Sequence, residues 1–271
     1  MQWYVTLLLP ENQWYGPLFL GRGHLQWSET LVAYFVQSNQ EHVTSDYIAR
    51  FIDGFHHRGF MEAKSATDVF SQWALIGKDE GMERGHAPSV KAMLELALPK
   101  VRDGFSAIDL GCGNGWVTRM LTDLGASHSE GVDGALEMIT KAKVIDSSHK
   151  YTHGFLPEWR PERKFDLVHT MEFLYYLQDP AEMISIIHDE WLENGGVMIA
   201  GVDHYIEHEE SLTWPAHVGV YMTTMSISQW KDAMISAGFI NIEIHQVASK
   251  EGFPGTLVML GQASHPQDHI V

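Results

Sequence analysis

The segment Ala107-Ile-Asp-Leu-Gly-Cys-Gly-Asn-Gly-Trp116 gathers the residue types best suited to holding a small polar ligand. Glycines at 111, 113 and 115 let a chain turn tightly from a strand into a helix. They also let its backbone approach a ligand with no Cβ in the way, while the free amides at the helix N-terminus face that ligand. Asp109 falls inside the strand. Asp133 ends the next strand, 18 residues beyond Gly115, placed to accept both hydroxyls of a ribose.

The elements that must position these residues are legible as periodicity. Residues 1 to about 100 read as helices and loops; from about 105 onward short apolar runs alternate with helical patterns, the rhythm of an α/β sheet. Near Ser45, apolar residues at 48, 51, 52 and 55 predict an outer helix, and a second follows Pro88 with Val90, Met93, Leu94 and Ala97 on one face. Between them Trp73 to His86, with glycines at 77, 81 and 85, reads as an irregular segment, a lid.

Strands are predicted over Phe105–Leu110, His128–Val132, His149–His153, Phe165–His169, Val197–Val202, Ile240–Val247 and Thr256–Leu260, the last two an antiparallel pair. Helices are predicted over 117–124, 135–142 and 228–237. Another starts at Asp179-Pro180 and runs through Trp191 to Gly195-Gly196. The expected fold is a Rossmann-like, doubly wound, seven-stranded α/β sheet with an antiparallel last strand. The expected domains are a helical extension and lid (1–100), a core (101–262) with an insert at 203–224, and a tail (263–271).

Composition excludes several function classes. The 271 residues are 45% hydrophobic, which rules out a disordered or fibrous chain. Eighteen Lys and Arg against 35 Asp and Glu give a formal net charge of −17, which repels a phosphate backbone, so no nucleic-acid partner is expected. One cysteine allows no internal disulfide and no cysteine metal cluster. The apolar run in Met1 to Pro10 lacks a preceding basic residue, and no apolar stretch approaches the ~18 residues that span a bilayer. No membrane partner and a cytoplasmic location are therefore expected.

With Asp109-Leu-Gly-Cys-Gly-Asn-Gly115 as its best match, the sequence over about residues 70 to 262 resembles the class I S-adenosylmethionine-dependent methyltransferases, in particular the small-molecule type 11 group. The resemblance implies S-adenosylmethionine as cofactor. It implies that Asp109, Gly111 and Gly113 surround the methionine end of the cofactor, with Cys112, Asn114, Gly115 and Trp116 of the same turn also binding it. It further implies that Asp133 and Gly134 hold the ribose, that Phe155 and Leu156 flank the adenine, and that Met171 lies beneath the transferred methyl. Many relatives carry an Asp just before the Leu-Pro stretch; here His153-Gly154-Phe155 offers no carboxylate.

Methyl transfer from a sulfonium is an in-line displacement, so positioning supplies much of the catalysis and a base is needed only for a protonated acceptor. Position singles out Glu172, Tyr176 and His204 as catalytic candidates and Trp73, His86, Tyr175 and Tyr205 as substrate-binding ones, with Asp203 beside them. The i, i+4 pair His204 and His208 has metal-ligand spacing without an evident helix to align it, so no metal is expected. The expected activity is methylation of an N, O or S atom of a small molecule, by a chain that can form an oligomer. An inactive cofactor-binding regulator and a nicotinamide-dependent oxidoreductase are the alternatives. The second lacks the third glycine of its fingerprint, because Trp116 stands there.

Overall fold

The computed structural model describes residues 3–5, 18–20 and 64–265. The chain divides into two compact units, Met1–Phe60 and Met61–Val271. In the first, strands β1 (Trp3–Val5) and β2 (Leu18–Leu20) pair antiparallel, in a region whose sequence reads as helix and loop. The outer helix expected near residues 45–55 lies outside the described residues.

The second unit opens with helices α1 (Ala66–Leu75) and α2 (Asp79–Ala97). Strand β3 (Ser106–Leu110), helix α3 (Trp116–Asp123), β4 (His128–Asp133), α4 (Leu136–Ile145), β5 (Lys150–His153) and β6 (Phe165–Met171) follow. Then come α5 (Pro180–Ile186), β7 (Leu192–Val202), a short α6 (Trp214–Val218), α7 (Ile227–Ser236), β8 (Ile240–Val247) and β9 (Thr256–Gln262). The sheet order is β5-β4-β3-β6-β7-β9-β8, with β9 antiparallel to both neighbours and the other pairings parallel. This is the expected seven-stranded, doubly wound sheet. The order reverses at β3 and β6, which opens a crevice at their C-terminal ends, where ligands of such sheets bind.

Alternation along the strands feeds two cores. Leu167, Val197, Ile199, Val258 and Leu260 face α2 and α3, while Val168, Met198, Ala200, Leu257 and Met259 face the α5 and α7 side, where Trp191 and Trp230 are fully buried. Asp179 accepts from the Glu182 N–H and starts α5, as its sequence predicts.

Two expectations fail. The lid over Trp73 to His86 is not irregular: α1 runs to Leu75, a short turn follows, and α2 runs unbroken from Asp79 through Pro88. Glycines weaken a helix by about 1 kcal/mol each, but Val90, Met93, Leu94 and Ala97 are buried, and Asp79 is tied to Lys141 and Asn114; tertiary packing overrides propensity. The helix predicted to reach Gly195-Gly196 ends instead at Ile186. A wider π turn over Ile187–Trp191 buries Ile187, His188 and Trp191, and β7 already begins at Leu192.

At the sheet's opposite end, Asp166 at the start of β6 accepts from the Ser106 N–H and Oγ, both at 2.8 Å, and from Arg102 at 2.9 and 3.0 Å. Burial alone would raise its carboxyl, but Arg102 and Ser106 outweigh this and hold it below its ordinary 3.8. With the folded value depressed, this stabilisation is present above the unfolded value and is lost as pH falls through the folded one. Asp166→Asn is expected to lower the Tm by about 2–4 °C at neutral pH. Calorimetric scans at decreasing pH should show that gap closing below 3.8.

Candidate active site

The glycine turn is built by exclusion. Gly115 precedes α3 with φ +79°, and a Cβ there would overlap the Tyr151 ring, with its Cζ at 2.8 Å and its hydroxyl at 2.9 Å. Gly111, at φ +66°, has Phe173 Cβ 2.8 Å from where its own Cβ would stand. The turn is thereby pressed on one side against β5 and on the other against the chain that leaves β6.

Beneath it, Asp109 is buried and accepts from His169 Nδ1 at 2.7 Å across the β3–β6 pair. The carboxylate accepts, so Nδ1 carries a proton, and His169 Nε2 is buried without a partner among the described residues. Asp133 Oδ2 accepts from the Gly113 N–H at 2.8 Å and Oδ1 from the Ala135 N–H at 2.7 Å. Burial raises its carboxyl, and the two amide bonds oppose that. Each oxygen keeps a second lone pair, the capacity two hydroxyls require.

Asn114 turns its amide nitrogen toward Asp79 Oδ2 at 3.0 Å and Glu83 Oε2 at 3.4 Å, which leaves its Oδ1 a buried acceptor with no partner among the described residues. Lys141 donates to Asp79 at 2.8 Å; burial would raise the Asp79 carboxyl, but Lys141 and Asn114 hold it below its usual range. Cys112 is buried, and desolvation, with Asp133 and Asp109 nearby, pushes its thiol well up, so it stays protonated and packs. Trp116 packs on the core at the start of α3. Phe155, beyond β5, is 57% exposed, and His153 Nε2 lies 3.1 Å from the Gly134 carbonyl. Leu156 packs on the core beside Phe155.

A second group gathers where β6 and β7 end. Glu172 has φ +57° and accepts from Tyr175 Oη at 2.7 Å and from the Asp203 N–H. Tyr175 and Tyr176 hydroxyls are 3.2 Å apart, so Tyr176, Tyr175 and Glu172 form a chain of hydrogen bonds. Burial first, and then the Asp203 charge, push the Glu172 carboxyl well above its ordinary value. Burial also raises Asp203, and Thr256, His86 and His208 oppose it. One ligand atom each of His86, Glu172 and Asp203 lies within 4.8 Å of the others. Burial lowers His86, with Asp203 opposing. Aromatic rings pack beside the cluster: Phe70 meets Trp73 and Tyr176 edge-on, both with centroids 5.2 Å apart. Met171 lies beside Gly201 at the end of β6.

Two expected site residues have their polar atoms engaged within the fold, although the His204 ring lies 5.5 Å from that of Tyr175. His204 is fully buried, with Nδ1 donating to the Ser211 carbonyl at 3.0 Å and Nε2 2.8 Å from Thr224 Oγ1, so both nitrogens are spent on folding the insert. Tyr205 is fully buried; its hydroxyl donates to the Gly255 carbonyl and accepts from Gln246, both at 2.9 Å, which ties it to the β8–β9 edge. Position after a strand does not reveal which way such side chains turn. His208 Nδ1 likewise donates to the Asp203 carbonyl. Sequence reasoning missed His169, Asp79 and Phe70. Only Phe70 left a signal, its i, i+3 spacing with Trp73 on α1.

A sheet of this order, with a glycine turn after its first core strand and an acid ending the second, defines a class I S-adenosylmethionine-dependent methyltransferase. Residues 82–244, well over half of the chain, match the family described as a methyltransferase domain, and the chain belongs to it. The solved complex between the Haloferax volcanii Trm112 methyltransferase activator and a methyltransferase is similar at 27% identity and TM-score 0.64, over 72% of this chain and 98% of that one. The N-methyltransferase NodS from Bradyrhizobium japonicum, solved with S-adenosyl-L-homocysteine, shares the fold at 17% identity and TM-score 0.52, over 65% of this chain and 85% of that one. A Haemophilus influenzae protein is 29% identical over 133 residues, 45% of this chain. The chain spans about half of that relative's length.

S-adenosylmethionine is the cofactor of this class, and the residues present fit it. The free Asn114 acceptor and the spare lone pairs of Asp133 suit its ammonium and ribose hydroxyls, and the exposed Phe155 ring suits a flat base.

Gly115→Ala is expected to destabilise the protein by about 2–4 kcal/mol, combining a left-handed alanine with overlap on Tyr151. Urea unfolding checks this; a loss below the range would mean that Tyr151 moves aside easily.

Proposed function

We propose that the protein transfers the methyl group of S-adenosylmethionine to an N, O or S atom of a small molecule in the cytoplasm. The observation that carries this reading is the Tyr176–Tyr175–Glu172 chain on the turn whose Phe173 presses on Gly111. It joins the cofactor turn to a group able to receive a proton.

When bound, the cofactor supplies a sulfonium methyl: the acceptor lone pair forms the new bond to carbon while the carbon–sulfur pair returns to sulfur. Asp133 holds the ribose hydroxyls. Asp109, Gly111, Gly113 and Asn114 shape the methionine end, and Phe155 and Leu156 cover the adenine from one side. In the absence of a carboxylate at His153-Gly154, backbone groups serve the adenine amino group. An acceptor that starts protonated gives its proton to Tyr176. Tyr176 passes one to Tyr175 and Tyr175 one to Glu172 Oε2, where the chain of hydrogen bonds ends. Trp73, Phe70 and His86 exclude water from the acceptor.

A small acceptor is supported by the aromatic rings beside Glu172 and by the net charge of −17, which repels polyanions. Incubation with methyl-labelled cofactor and a cell extract should place label in the dialysable fraction. Label only in protein would overturn the small-molecule acceptor, and cofactor binding without turnover would favour the regulator.

Asp133→Ala is expected to weaken S-adenosylhomocysteine binding about 10- to 100-fold by calorimetry, through lost charge-assisted hydrogen bonds. Tyr176→Phe and Glu172→Gln should each lower kcat about 10²-fold or more with cofactor affinity unchanged. Equal kcat in all three proteins would mean that the acceptor reacts without a base.

A further inference from the structure

We propose that His86, Glu172 and Asp203 bind one divalent transition-metal cation. The three come from separate elements, α2, the turn after β6 and the end of β7, yet a donor atom of each lies within 4.8 Å of the other two. Donors on one ion with bonds near 2.1 Å stand about 3–4 Å apart, so small side-chain rotations complete the site.

Three features separate this group from a chance meeting of acids. First, it contains a histidine whose ring makes no hydrogen bond to any described residue, in contrast to His204, whose two nitrogens are both used. Second, both carboxylates are oriented by hydrogen bonds. Thr256 Oγ1 donates to Asp203 Oδ1 at 2.6 Å and is itself 2.7 Å from Ser89 Oγ, while Glu172 is gripped by Tyr175 and by the Asp203 N–H. Metal ligands are held in this way by their outer shell. Third, the charge is unbalanced. The buried carboxylates of Asp79 and Glu130 each have a lysine, Lys141 and Lys150, whereas no Lys or Arg pairs with Glu172 or Asp203 among the described residues. Two half-buried or buried carboxylates side by side call for a cation.

One imidazole with two carboxylates suits Mn²⁺, Fe²⁺, Co²⁺ or Zn²⁺ better than Ca²⁺, which takes oxygen alone, and leaves coordination positions open for an acceptor oxygen or nitrogen. The inference deepens the methyl-transfer reading and rests on it only for that last step, in which a bound ion would replace Glu172 as the group that lowers the acceptor's hold on its proton; metal binding itself is measured without cofactor or acceptor.

The test uses full-length protein stripped with EDTA and dialysed, titrated with MnCl₂ by electron paramagnetic resonance and with CoCl₂ by visible absorption. One saturable site is expected. D203N and H86A should each weaken it about 10-fold or more, while Lys78→Ala leaves it unchanged. Calorimetry with S-adenosylhomocysteine verifies that each variant is folded, and E172Q replaces any variant that is not. Absence of saturable binding, or binding that survives all of these ligand substitutions, overturns the site. Metal binding with no methyl transfer to any extract fraction would leave the site standing and overturn the proposed function alone.

Discussion

The constraint on which the active region depends is the closeness of the glycine turn to its neighbours. At Gly111 the backbone leaves no room for a methyl group before Phe173, and at Gly115 none before Tyr151. Interiors pack at crystal-like density, so such contacts transmit position from one segment to the next. The cofactor turn therefore sets where the β6 turn stands, and with it Glu172, held at a positive φ that few non-glycine residues adopt. The glycine turn and the Glu172 carboxylate are placed by one packing arrangement.

Charge is the second constraint. Most buried acids of this protein are neutralised locally: Asp79 by Lys141, Asp166 by Arg102 and Ser106, Asp109 by a hydrogen bond from His169. Glu172, Asp203 and Asp133 have no such cation, and burial raises all three carboxyls, with the Asp203 charge adding to Glu172. Local destabilisation of this kind is tolerated where function uses it, and here it coincides with the C-terminal ends of β6 and β7, the crevice side of the sheet.

Much of this was legible in the sequence, and the part that was not has a common cause. The seven core strands, the glycine turn and Asp133 are encoded by spacing within a few residues, which one sequence displays. Side-chain direction after a strand is not encoded that way: Glu172 turns into the cluster, whereas His204 and Tyr205 turn into the fold. The segment Trp73 to His86 misled for a related reason. Its glycines suggest a loop, but Asp79 is fixed by partners 35 and 62 residues away in sequence, Asn114 and Lys141. His169 gave no signal, since nothing local distinguishes a histidine that meets Asp109 across a strand pair from any other strand residue.

That helix α2 is continuous alters how the acceptor region works. A glycine-hinged lid would exclude water by closing, with ordering entropy lost at each turnover. Helix α2 is instead held at its start by Asp79 and along its last turns by Val90, Met93, Leu94 and Ala97, so His86, half-buried between these anchors, is carried on a fixed helix. Opposite it, Asp203 is fixed by Thr256 and Ser89, and Glu172 by Tyr175. Polar groups held in place before the ligand arrives need little reorganisation during the reaction, which is where electrostatic catalysis gains most. On α1, Phe70 meets both Trp73 and Tyr176 edge-on, so the same packing also fixes the rings beside Glu172.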